Sequence, residues 1–143
     1  MKRKWQSIFL LMLLASCQDV KLRQYMVNGQ RTYQMKCANC HQSNGKGLGK
    51  LYPPLKDSDY LVQEKLENVI CQIKNGVQGE MTVNGQVYNH PMPANKDLKL
   101  LEIAELVTFV YNTWGDGQGI VTVKKVEQAL KSCSISETPS VTE

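Results

Sequence analysis

The chain has 143 residues, of which 21% are charged and 42% hydrophobic; this suits one globular domain and excludes a disordered chain or a two-domain enzyme. A formal net charge of +4, with no stripe of basic residues, gives no reason to expect a nucleic-acid partner. Two histidines and five cysteines restrict the metal chemistry sharply. In chain order, Lys2, Arg3 and Lys4 form a positive segment, followed by the apolar stretch Ile8 to Ala15. That stretch has the length of a signal-peptide core and is too short to span a bilayer.

The stretch ends in Leu14-Ala15-Ser16-Cys17, which resembles the lipobox of bacterial lipoproteins. The resemblance implies a signal peptide at residues 1–16, cleavage before Cys17 and a lipid on that cysteine. An ordinary signal peptide with a chance cysteine is the alternative. More than one hydrocarbon chain on Cys17 gives stable attachment to a membrane. The expected location is the cell envelope, facing the periplasm. By analogy with lipoprotein sorting, Gln18 after the cysteine implies the outer membrane.

Residues 17–27 are polar and read as a tether. A short helix is predicted over Asn28 to Cys37, and a Gly- and Pro-rich loop over Asn39 to Pro54. Leu61, Val62, Leu66, Val69, Ile70 and Ile73 recur at helical spacing and predict one helix from Asp59 to Lys74, capped at Asp57 or Ser58 and stopped by Asn75-Gly76. A loop from Gly76 to Asn95 holds a short hairpin at Asn84-Gly85 and ends in His90-Pro91-Met92-Pro93, where the prolines forbid a regular helix. The most periodic segment, Asp97 to Thr113, predicts a long helix closed by Gly115. An extension, residues 116–133, carries a last short helix from Val123 to Lys131 capped by Thr122. Residues 134–143 form a polar tail expected to be disordered. Long loops between short helices count against a core built of protein alone.

Cys37-Ala38-Asn39-Cys40-His41 supplies what fills it: C-x-x-C-H is the attachment pattern for covalent haem. Two thiols three residues apart reach the two vinyl groups on one porphyrin edge, and the adjacent histidine is held under the iron. Three other readings compete. A thioredoxin-like pair expects a β-α-β context. A zinc site needs four donors, usually as two separated pairs; no second C-x-x-C or H-x-x-x-H follows, and Cys40 and His41 are awkward neighbours on one tetrahedral ion. A plain Cys37–Cys40 disulfide leaves the long loops unexplained.

From Asn28 to Gly115 the chain resembles a class I cytochrome c. Gly29 and Tyr33 match the Gly-x-x-x-aromatic of the family's first helix, and Leu106 and Phe109 its partner positions on the C-terminal helix. Pro53-Pro54-Leu55 matches the segment whose proline carbonyl orients the proximal histidine, with Pro53 favoured over Pro54. Met92, in Met-Pro-Ala before the last long helix, matches the distal ligand; Met81 and His90 are the alternatives. The resemblance implies an all-α cytochrome c fold, three to five short helices around one covalent haem c held by Cys37 and Cys40, with His41 and Met92 on the iron.

With Cys17, Cys37 and Cys40 assigned, Cys71 and Cys133 remain; an even remainder in an oxidising compartment predicts a disulfide, against two free thiols. Trp114 and Tyr111 read as packing residues. Lys46 and Lys50 read as solvated, or as a docking rim near the haem edge. A six-coordinate His–Met iron has no open position, so the expectation is a single-electron carrier between redox proteins, a monomer or a subunit of a respiratory complex, with no enzymatic activity. Its partner would be a terminal reductase or a dehydrogenase. The alternative is a gas sensor or haem enzyme with a labile distal ligand.

Overall fold

The computed structural model describes residues 20–117 and 119–136. The predicted signal peptide, Cys17 and the tail beyond residue 136 lie outside the described residues. Helix α1 covers residues 20–36, α2 Ala38–His41, α3 Asp59–Gln63, α4 Leu66–Asn75, α5 Leu100–Trp114 and α6 Val123–Ser136. One antiparallel hairpin, β1 Met81–Val83 and β2 Gln86–Tyr88, interrupts the helices. The expected three to five helices are therefore six among the described residues. The C-x-x-C-H motif forms a turn of its own, and the middle helix is broken.

Helix α1 begins well before Asn28. Residues 20–27, read as tether, are helical, and within them Tyr25 is buried in the core with Met26 packed against it. The inward stripe runs Tyr25, Gly29, Thr32 and Tyr33. Its glycine and threonine carry little hydrophobic signal, so periodicity alone starts the helix too late.

Gly29 sets the packing of α1 on α5. A Cβ there would fall inside the Glu105 carbonyl and 2.7 Å from the Phe109 Cβ. The two backbones thus cross at a point only glycine permits. Asn28 donates to the Glu105 carboxylate at 2.8 Å beside the crossing, which gives that buried acid a partner. Lys36 pairs with Asp97 at the other end of α1. Phe109, expected at the crossing, is there, and Leu106 one turn earlier on α5 is buried and also lines the interior cleft. Replacing Gly29 with alanine is expected to cost about 1–3 kcal/mol or more, the range for overpacking a fixed interface. Urea unfolding of the mature protein measures it; an unchanged midpoint would remove the crossing from the account.

The middle helix breaks at Glu64-Lys65, where the Glu64 carboxylate accepts from the Lys65 N–H at 2.8 Å and from Asn68 Nδ2 at 2.7 Å. That acidic side chain takes up amides at the start of α4, which competes with continuing α3. The apolar spacing carries through the break unchanged, so sequence does not show it. Val62, counted on the inward stripe, is turned to solvent.

Helix α5 is buried on every side from Ile103 to Tyr111, as the central helix of the fold. Its polar residues are partnered. Thr108 donates to the Ala104 carbonyl and accepts from the Val121 N–H, and Asn112 bonds both the N–H and the carbonyl of Gly119. These bonds fold the chain after Gly115 back onto α5. Helix α6 then lays Val126, Ala129 and Cys133 on the core. It starts at the expected Thr122 cap and continues to Ser136, beyond the predicted end at Lys131 and into the predicted tail. Cys71 of α4 and Cys133 of α6 are joined in a disulfide.

Candidate functional site

Helix α2 is a single turn. The Cys37 carbonyl accepts from the N–H of Cys40 at 3.1 Å and of His41 at 2.9 Å. Residues at i, i+3 and i+4 of a helix share a face. The turn therefore presents Cys37, Cys40 and His41 together, and all three line one cleft that is open to solvent. Both sulfurs are free. Burial, and then the neighbouring Cys40, pushes the Cys37 thiol up to about 11, so it is neutral.

The next loop holds His41. Its Nδ1 donates to the Pro53 carbonyl at 3.0 Å; since a carbonyl only accepts, the proton is on Nδ1 and the lone pair on Nε2. Burial holds His41 below its ordinary value, the Pro53 bond acting the other way, which favours the neutral ring. The loop is wound on itself: Gly47 N–H donates to the His41 carbonyl at 2.9 Å, and Leu55 and Lys56 both donate to the Gly45 carbonyl. Gly47 has φ +67°, and a Cβ there would fall 2.6 Å from the Pro53 carbonyl oxygen. Gly45 lies against the ring of Trp114, which packs with Tyr33 and Phe109.

Met92 enters from the opposite loop. Its backbone exchanges two hydrogen bonds of 3.0 Å with Val77. Gly76, at φ +80°, allows this approach, because a Cβ there would lie 2.5 Å from the Met92 carbonyl oxygen. The following residues are stitched to the end of α4: Asn95 donates to the Ile73 carbonyl, and Lys74 Nζ donates to the carbonyls of Lys96 and Leu98 at 2.8 Å each. The Asn95 bond satisfies the Ile73 carbonyl at the end of α4, and the Lys74 bonds fix the loop that follows Met92. Met81 and His90 also line the cleft. His90 Nε2 lies 3.2 Å from Tyr52 Oη, with the two rings edge to face.

The structure thus gathers Cys37, Cys40, His41, Pro53 and Met92 around one space, while Cys71 and Cys133 lie apart from it. Sequence reasoning missed Gly47 and Gly76, whose signal was a glycine beside each candidate ligand loop. It also missed Ser58, Tyr60 and Gln72 on the cleft wall, where Gln72 donates to the Tyr60 hydroxyl.

Comparison with known proteins bears directly on this arrangement. The cytochrome c family profile matches residues 26–114. A cytochrome c-552 of Thermus thermophilus is 33% identical over 123 residues, 84% of this chain and 77% of that protein. The chain belongs to the cytochrome c family. A second Thermus thermophilus cytochrome c-552 is 34% identical over 96 residues, 65% of this chain and 72% of that protein. The cytochrome c subunit of a quinone alcohol dehydrogenase from Gluconacetobacter polyoxogenes is 31% identical over 103 residues, 70% of this chain but only 22% of that subunit. As a family member the chain carries a covalently bound haem c and transfers electrons.

The residues present fit that group. The cleft lining contains no Lys, Arg, Asp or Glu and is otherwise mostly apolar, as a flat, largely apolar macrocycle requires. Cys37 and Cys40 would hold it by thioethers. His41, with Nδ1 committed to Pro53, keeps Nε2 for a metal. The thioether of Met92, which also lines the cleft, would be the second donor. When bound, the haem supplies a one-electron iron couple. The protein's part is to keep the His41 ring in one tautomer, hold the Met92 backbone in place and surround the group with a mostly apolar lining.

Proposed function

We propose that this cytochrome is a lipid-anchored, periplasm-facing shuttle that exchanges single electrons with redox proteins at a membrane surface, its iron held between His41 and Met92. The clamped backbone of Met92 carries the reading. Two hydrogen bonds to Val77 fix the Met92 backbone, which supports a coordination shell that changes little between oxidation states and so suits outer-sphere transfer. Anchoring is supported by the lipobox-like segment ending at Cys17. The dehydrogenase subunit among the relatives supports a dehydrogenase as the class of electron donor. Contacts with such partners would be small and transient.

The test is a redox titration with visible spectra on the mature protein. The oxidised form is expected to show the weak iron–sulfur charge-transfer band toward the red, and the reduced form to take up carbon monoxide poorly. A high-spin spectrum with rapid carbon monoxide uptake would give the site to a gas sensor or haem enzyme instead.

The two glycines make a sharper prediction. Gly47→Ala displaces the Pro53 carbonyl and weakens its bond to His41; with a less basic ligand below the iron, the potential rises. Gly76→Ala displaces Met92, which weakens the sulfur bond and the charge-transfer band, and the potential falls. Shifts of the same sign in both variants would contradict this division of roles.

A further inference from the structure

Helix α1 carries an outward face that the electron-transfer site does not use. Val20 and Val27 are 64% and 57% exposed and lie two turns apart on one stripe, with Arg23 and Arg31 beside them. Residues 20–36 contain four cations, Lys21, Arg23, Arg31 and Lys36, and no acidic residue. The opposite face is fixed: Tyr25 sits in the core and Gly29 is locked against α5, so α1 cannot peel away from the domain.

We infer that this face of α1 lies on the surface of the membrane to which the chain is anchored, so that the haem domain rests flush against the lipid. The inference builds on the lipid anchor at Cys17 proposed above. Chain length supplies the main constraint. Only three peptide steps separate Cys17 from Val20, and even fully extended they span about 11 Å. A residue 17–27 tether would have let the domain swing; the chain is already helical at residue 20, which removes that freedom. The start of α1 is thus held within headgroup reach, and the side it can present has the chemistry of an interfacial helix, exposed valines flanked by arginines. Cations at an anionic lipid surface contribute favourably, each within a Debye length of the charge.

The mature chain contains two arginines, Arg23 and Arg31, both on this face. An arginine-specific dicarbonyl reagent therefore reads α1 alone. Acylated, haem-loaded protein is reconstituted into vesicles of phosphatidylethanolamine and phosphatidylglycerol, and modification of each arginine is followed by peptide mass spectrometry. The reference is the Cys17→Ser protein free in solution. The expected result is several-fold slower modification of both arginines on vesicles, with Lys46 and Lys50 equally reactive toward an amine reagent in the two states. Val20→Ser with Val27→Ser, in acylated protein, should restore much of the arginine reactivity. Intact mass without acyl chains overturns the anchor and this inference with it. Acylated protein with arginines as reactive as in the soluble form overturns the docking alone. Protection that already appears in the soluble form and grows with protein concentration assigns the face to a second copy of the chain, and also overturns it.

Discussion

Met92→Ala is expected to abolish the iron–sulfur charge-transfer band, open the iron to carbon monoxide and lower the reduction potential. The fall should be a sizeable fraction of the roughly 0.8 V over which axial ligands tune haem potentials. The physical reason is the loss of a sulfur donor that favours the ferrous state. The fold should survive, because Met92 is held through its backbone and alanine keeps both hydrogen bonds to Val77. Spectra at matched pH, a carbon monoxide titration and a potentiometric titration give the three readouts. His90 and Met81 line the same cleft and are the substitutes that a vacated position would recruit. His90→Ala in the Met92→Ala background separates recruitment of that histidine from a truly open iron. Unchanged spectra in Met92→Ala would remove this residue from the site.

Removing the Cys71–Cys133 disulfide should produce the largest change in stability. The bond spans a sequence separation of 62 residues. Loop-closure entropy for such a span corresponds to about 4 kcal/mol at 25 °C. The paired variant Cys71→Ala with Cys133→Ala should lose an amount of that order in denaturant unfolding of the haem-loaded protein. Neither cysteine lines the cleft, so the visible spectrum and the potential should stay as they were. The loss should fall first on α6, whose Val126 and Ala129 are held on the core beside the bond. Wild-type protein treated with reductant should match the double variant, and the variant should not respond to reductant further. Equal stability with and without the bond would show that α6 is held by packing alone.

The separation between these two effects follows from where the chain puts its chemistry. The C-x-x-C-H turn, the Pro53 loop and the Met92 loop face one uncharged cleft. The disulfide and α6 instead brace α4, whose far end carries the Met92 loop through Gly76, Asn95 and Lys74. Stability of the extension and tuning of the iron are thus served by different residues.

Much of the site was legible in the sequence because its chemistry is local. Cys37, Cys40 and His41 fall on one helical face by spacing alone. The Asn84-Gly85 hairpin follows from a dipeptide suited to positive φ, observed at +51° and +72°. The C-terminal helix follows from periodicity. What the sequence could not show depended on contacts between distant segments. Residues 20–27 read as polar tether because Tyr25 and Met26 gain value only against a core built by distant segments. The break at Glu64 leaves the apolar period intact, since a carboxylate turning onto the Lys65 N–H and the Asn68 side chain alters no hydrophobic position. Gly47 and Gly76 are ordinary glycines until a second loop comes within a Cβ's reach. Local chemistry, set by covalent spacing and helical period, was determined residue by residue. The pairing of loops, the crossing of α1 on α5 and the docking of α6 were decided only when the folded chain brought remote surfaces together, because close packing is a property of both partners at once.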